Sequence, residues 1–213
     1  MKITKFGHCC LMLEINGKKI LTDPGAYDYS KLPEDIKGVS AVLITHEHSD
    51  HLHVESLQNL LKNNTEAVVI TNASVGKILE EARIAYIKIE EGEKYDLDGV
   101  NISGFGNLHA EIYFTFGQVQ NTGYMIDGLC YPGDAFQYPD AHVDILALPV
   151  AGPWMKIKDA IDYAKNINPR VVFPVHDGMI QSFATFPYTI PQKFLGELGI
   201  EFKKLKIGEA EEI

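Results

Sequence analysis

Arginine is almost missing from this sequence: Arg83 and Arg170 are the only two. The chain is also acidic, with 19 Lys+Arg against 29 Asp+Glu and a formal net charge of −10. Guanidinium groups are the usual bidentate partners of phosphate, and an acidic surface repels a polyanion over most of its extent. No nucleic-acid partner is therefore expected. Cysteine is scarce as well. Cys9, Cys10 and Cys130 make an odd count with one adjacent pair, which is not a disulfide framework and fits a reducing compartment. Long apolar runs are lacking too. The richest, Val143 to Met155, is broken by Asp144, Pro149 and Pro153, so no membrane span is expected. The first residues, Met1 to Gly7, lack the apolar stretch of a secretory signal. A soluble, cytoplasmic protein is the expectation. With 213 residues, 46% of them hydrophobic, and no low-complexity tract or long linker, the chain reads as a single domain over 1–213. No heptad or exposed apolar stripe speaks to oligomeric state.

What is present begins with two echoing units. Apolar runs at Cys10 to Ile15 and Lys18 to Thr22 flank Asn16-Gly17; others at Gly123 to Ile126 and Leu129 to Tyr131 flank Asp127-Gly128. Such dipeptides between β-type runs predict tight hairpins. Each hairpin runs into an aspartate beside a Pro/Gly turn, Asp23 in one and Asp134 in the other. Helical stripes follow at Val54/Leu57/Leu60/Leu61, Val75/Ile78/Leu79/Ala82 and Ala160/Tyr163/Ala164/Ile167. Short β-rich runs lie between them at 41–44, 67–70, 102–105, 144–148 and 171–175. Strands interspersed with helices predict a layered α/β architecture, and the hairpins require mixed rather than purely parallel sheets.

The chemistry is concentrated in Thr45-His46-Glu47-His48-Ser49-Asp50-His51, directly after the 41–44 strand. Imidazole and carboxylate suit zinc, and also iron or manganese. In an extended segment His46 and His48 project to one side, while Asp50 and His51, further along the turn, can address a second centre. One loop cannot fill two metal shells. Of the remaining histidines, His109 and His176 each follow an apolar strand, as does Asp134. The carboxyl ends of strands are where α/β sheets build their sites. His53 and His142 lack that placement and are read as ordinary core or surface residues.

The run at 45–51 resembles the T-H-x-H-x-D-H signature of the metallo-β-lactamase superfamily without a departure, and the family's later positions match His109, Asp134 and His176 in order. The resemblance covers nearly the whole chain. Phe6-Gly7-His8 through Thr22-Asp23-Pro24, and Leu148 to Met155 with Pro174-Val175-His176, look more like the branch of ascorbate-6-phosphate lactonase and many uncharacterised small hydrolases. The N-acyl-phosphatidylethanolamine phospholipase D branch shares some of this character. The resemblance implies a four-layer αββα sandwich of mixed sheets with a dinuclear metal site on the sheet rim. His46, His48 and His109 would hold the first metal, Asp50, His51 and His176 the second, and Asp134 would bridge them. Two divalent ions are implied, zinc first, with manganese or iron as alternatives.

The implied activity is hydrolysis of a small ester, lactone or phosphodiester by a metal-bound hydroxide, since zinc lowers the pKa of bound water to about 7. Asp50 and His8 are the catalytic candidates. Asp50 would orient the nucleophile and shuttle its proton. His8 would close the site or contact substrate, with a structural strand-end histidine as the equal alternative. Asp23 would either accept the second N–H of a ligand imidazole or simply form a turn before Pro24. Two divalent ions, two carboxylates and a hydroxide sum to about +1, which favours an anionic or ester-containing small molecule. His48 stands where diiron flavoprotein oxidases carry Glu, and Asp134 where antibiotic-degrading β-lactamases carry Cys. A tRNA-processing nuclease would need a basic surface that is lacking. The rivals are a diiron redox enzyme of the same fold and a non-catalytic, metal-containing binding protein. Tyr27, Tyr29, Trp154, Phe183, Phe186 and Tyr188 either wall a pocket over the metals or pack their loops onto the core; packing is the commoner role. Gly104-Phe105-Gly106 reads as a tight strand-end turn.

Overall fold

The computed structural model describes residues 1–26 and 36–213. The chain opens with β1 (Lys2–Lys5), β2 (Leu11–Ile15), β3 (Lys18–Thr22) and β4 (Ala41–Leu43), then α1 (Val54–Asn63), β5 (Val68–Thr71), α2 (Ala73–Glu81) and β6 (Ile87–Lys88). It continues with β7 (Lys94–Asp96), β8 (Asn101–Phe105), β9 (Gly123–Ile126), β10 (Leu129–Tyr131), β11 (Ile145–Pro149) and α3 (Ile157–Ile167). Last come β12 (Val171–Val175), α4 (Phe186–Gly196), β13 (Glu201–Phe202) and β14 (Ala210–Glu212). Both expected hairpins form. Asn16 and Gly17 have φ of 49° and 79°, Asp127 and Gly128 φ of 48° and 93°, the paired left-handed residues that a type I′ turn demands.

Two seven-stranded sheets result, ordered β14-β1-β2-β3-β4-β5-β6 and β13-β12-β11-β10-β9-β8-β7. Each is mixed: antiparallel through the hairpin, then parallel from β3 through β4 and β5 to β6 and from β10 through β11 and β12 to β13. The outermost strands, β14, β6, β13 and β7, are two or three residues long.

Period-two alternation sends one set of side chains between the sheets and the other outward. Leu11, Leu13, Ile20, Leu43, Ile102, Tyr124, Ile126, Tyr131, Ala147 and Phe173 fill the inner layer. On one outer face Met12, Leu21, Val42, Ile44 and Val69 meet Leu57 and Leu60 of α1 and Val75 and Leu79 of α2. On the other, Cys130, Leu146, Leu148 and Val172 meet Ala160, Tyr163 and Ala164 of α3 and Leu195 of α4. Each fully buried aliphatic side chain contributes roughly 1.5–3 kcal/mol by leaving water, which is what fixes the four αββα layers. His53, set aside as an ordinary residue, caps α1: its Nδ1 accepts the Ser56 N–H at 3.3 Å. His142 is exposed. No helix among the described residues is long and apolar enough to cross a membrane.

One expectation needs correction. Phe186 and Tyr188, read as part of a loop after His176, belong to α4.

Candidate metal centre

The rim of the sandwich is built from strand ends. Beyond β4 the backbone turns sharply, with the His51 and Leu52 N–H groups both donating to the His48 carbonyl at 2.9 Å. That turn presents His46 and His48 to one side and Asp50 and His51 to the other. The Asp23-Pro24-Gly25 loop presses against it, so closely that a side chain at Gly25 would run into the backbone of Asp50 and His51. From the second sheet come His109 after β8, Asp134 after β10 and His176 after β12. Gly133, at φ 64°, lets Asp134 approach: a Cβ there would strike Asn121 Oδ1 and Thr45.

The seven ligand candidates, joined by His8, come together in two groups and a link. His46, His48 and His109 bring ligand atoms within 4.8 Å of one another, and so do His8, Asp50, His51 and His176. Asp134 stands between them. Its Oδ2 lies 3.5 Å from His109 Nε2, 4.0 Å from His46 Nε2 and 2.8 Å from His176 Nε2, and its Oδ1 lies 3.2 Å from His51 Nε2.

Polar atoms this deeply buried are normally hydrogen-bonded. Here Nε2 of His46, His51, His109 and His176, Nδ1 of His176 and Oδ1 of Asp134 are buried with no hydrogen-bond partner. They crowd together without the geometry of mutual hydrogen bonds. Imidazole nitrogens and a carboxylate oxygen form a donor set that a divalent cation fits, and a cation would remove the desolvation cost of leaving them bare.

The opposite ring atoms show which nitrogen is offered. His51 Nδ1 lies 2.7 Å from Asp23 Oδ2 and donates to it. His109 Nδ1 donates to the Ala110 carbonyl at 2.6 Å. The Thr45 hydroxyl donates to Asp23 Oδ2 at 2.8 Å and so accepts from His46 Nδ1 at 3.0 Å. In each ring Nδ1 is thereby the donor and Nε2 the nitrogen turned to the centre, the arrangement a ligand needs once a cation takes the place of any second proton. Asp23 is thus more than a turn former. Its φ is 35°, and His176 sits at 57°; left-handed backbone at non-glycine residues is strain that gathers at functional sites. His8 differs. Its Nδ1 accepts the Gly178 N–H at 3.1 Å, so Nε2 carries the proton and donates to Asp50 Oδ2 at 3.1 Å.

Protonation follows burial and neighbours. Burial and the nearby His51 charge hold His46 well below its ordinary range, and burial lowers His48. Burial raises Asp134, but the charges of His51 and His176 outweigh it and keep the carboxyl well below the usual range. Burial likewise raises Asp50, and the His176 ring 3.5 Å away together with the hydrogen bond from His8 more than reverses it. Burial lowers His51 and His176, yet the Asp134 charge raises the first well above its ordinary value and the second to about 10.

Sequence reasoning missed two supports. Asn121, fully within the rim, accepts the Asp134 N–H at 3.0 Å and donates to the Pro132 carbonyl at 3.0 Å. Trp154, singled out only as an aromatic wall or packing residue, donates its indole N–H to Asp134 Oδ2 at 2.9 Å. Glu47 points away, accepting from the Ser74 hydroxyl. Among the other aromatics, Tyr188 donates to Asp177 Oδ2 at 3.2 Å, whereas Phe183 and Phe186, 84% and 57% exposed, do not pack onto the core. Tyr27 and Tyr29 lie outside the described residues.

Known proteins carry the same frame. A family described as the beta-lactamase superfamily domain matches residues 2–176. Protein Rv0786c of Mycobacterium tuberculosis is 34% identical over 186 residues, covering 84% of this chain and 85% of its own. The UPF0173 metal-dependent hydrolase Ta0764 of Thermoplasma acidophilum is 29% identical over 190 residues, 83% of each chain. Among solved structures, Igni18, a metallo hydrolase from Ignicoccus hospitalis, superposes with a TM-score of 0.74 at 22% identity, over 100% of this chain and 98% of that one. With the signature at 45–51 intact and a sandwich of two mixed sheets around it, the chain belongs to the metallo-β-lactamase superfamily.

Proposed function

We infer that this protein is a metal-dependent hydrolase with a dinuclear, zinc-type centre that cleaves a small ester, lactone or phosphodiester. The observation carrying this reading is the set of buried, partnerless ring nitrogens converging on Asp134 from two sides. The hydrolase name borne by the Thermoplasma relative supports it. His46, His48 and His109 would hold one cation, Asp50, His51 and His176 the other, and Asp134 would bridge. Manganese or iron would fit the same donors. When bound, such ions supply Lewis acidity and acidify a coordinated water to near neutral pH.

The chain's own contribution is protonic and positional. Asp50 is 16% exposed against 4% for Asp134, so Asp50 is the carboxylate that solvent and substrate reach. The His8 Nε2–H fixes its Oδ2, and the proton from the attacking water passes to this carboxylate. Asp134, buried and held by Trp154 and Asn121, keeps its place and its charge. Donors to each group are drawn from both sheets, which is why we treat 1–213 as one functional unit. The centre's small positive balance inside an acidic protein suits an anionic substrate of low molecular weight rather than a polyanion.

Elemental analysis of the purified protein, then assay against chromogenic esters, lactones and phosphodiesters, tests this. Zinc near two per chain with turnover of one class is expected. His48→Ala should abolish turnover with the fold retained. Iron with ligand-to-metal absorption bands would favour the redox rival, and full loading without turnover the binding-protein rival.

A further inference from the structure

Cys9 is one of three buried cysteines; it borders the inner apolar layer, and its surroundings differ from those of the other two. Cys10 belongs to the apolar layer beneath α1 and α2. Cys130 lies beneath α3, its sulfur 3.8 Å from the Tyr163 hydroxyl, and burial pushes its thiol up to about 12. Cys9 instead brings its sulfur within 4.8 Å of ligand atoms of both His51 and Asp134. Its backbone is anchored by its carbonyl, which accepts from the Thr22 hydroxyl at 2.8 Å and lies 2.8 Å from the Tyr131 hydroxyl.

The second observation is what shares that triangle. His51 Nε2 and Asp134 Oδ1, 3.2 Å apart, are both buried without a hydrogen-bond partner. His51 Nδ1 already serves Asp23, which leaves Nε2 as the ring nitrogen open to a cation. A thiol beside two bare donors is an N, O and S set, and thiolate is the ligand type that favours zinc over manganese.

We propose that Cys9 is an additional metal ligand of this centre, its thiolate donating to the cation held by His51 and Asp134. The S–H bond breaks, a sulfur–metal bond forms and the proton leaves to solvent, with no change of oxidation state. A coordinating thiol is deprotonated outright, so the thiolate charge reduces the centre's positive balance by one. The proposal rests on the metal-centre reading above.

Cobalt(II) loaded into the intact protein tests it. A bound thiolate gives sulfur-to-cobalt charge-transfer absorption in the near ultraviolet beside the visible d–d bands. The expected result is a charge-transfer band in the unsubstituted protein, in Cys10→Ser and in Cys130→Ser, lost in Cys9→Ser while the d–d bands remain. X-ray absorption of the zinc-loaded protein should show a sulfur neighbour at about 2.3 Å. Visible d–d bands with neither a charge-transfer band nor a sulfur neighbour in the unsubstituted protein overturn the proposal and leave the hydrolase reading standing. A band that survives Cys9→Ser also overturns it. No cobalt or zinc uptake at all overturns both readings. The unsubstituted protein decides the matter even if Cys9→Ser fails to fold.

Discussion

The two sheets are variations on one plan. In each, a hairpin closed by Asn-Gly or Asp-Gly delivers an aspartate to the rim, and parallel strands with two covering helices follow. The chemistry is not repeated with the frame. Asp23, at the end of the first hairpin, turns to Thr45 and His51 Nδ1 and holds them. Asp134, at the end of the second, stands among the bare Nε2 atoms themselves. The turn after β4 carries His46, His48, Asp50 and His51, while its counterpart after β11 carries Trp154, which only steadies Asp134. At the end of β5 sits Asn72, capping α2 and donating to the Thr45 carbonyl; at the end of β12 sits His176. A repeated scaffold thus supplies equivalent rim positions, and residue identity decides which offer bare donor atoms and which hold those donors in aim.

Substitutions at matched positions put that division to work. Asp134→Asn should be the most damaging, lowering turnover on the order of 10³-fold or more, since several kcal/mol of metal-derived stabilisation depend on it; steady-state kinetics and bound-metal analysis measure it. Asp23→Asn should cost less, about 10–100-fold in metal affinity or activity, as removal of a group that orients a ligand does. Equal losses at the two aspartates would erase the distinction between holding and touching. Trp154→Phe deletes one hydrogen bond to a charged group, worth about 1.5–3 kcal/mol, and should lower activity at constant fold by about tenfold. Gly17→Ala and Gly128→Ala, both at left-handed turn positions, should each destabilise by about 1 kcal/mol, a fall in Tm of about 2–4 °C. Activity should be untouched in either hairpin variant; a selective loss in one would show that its hairpin also sets the rim.

Where structure is local, the sequence speaks clearly. α1, α2 and α3 announce themselves through stripes that later face a sheet, and both hairpins through their turn dipeptides. α4 does not, because Pro187 and Pro191 lie within it and proline argues against helix on local grounds; packing of Leu195 against the second sheet overrides that. β1 is hidden by Lys5, a buried lysine whose charge is met 172 residues away by Asp177 at 2.6 Å, so its inward face reads as polar. At the site, all seven ligand candidates were legible, being unusual residue types at strand ends. Their supports were legible only in part. Asp-Pro-Gly reads equally as a turn or as an acceptor for a ligand imidazole, and the fold decides for the second by setting Asp23 against His51. Trp154 reads as an apolar residue until its N–H meets Asp134, and Asn121 carries no local signal at all.

The sheet edges bear on how this molecule meets others. β14, β6, β13 and β7 offer ladders of two or three residues, and every one of them includes Lys, Glu or Asp. A foreign strand seeking to lengthen either sheet would find almost nothing to pair with and an ionic side chain in the way. Stacking of copies edge to edge is thereby discouraged from the outset, and encounters are steered to the helical flanks and the ligand-bearing mouth.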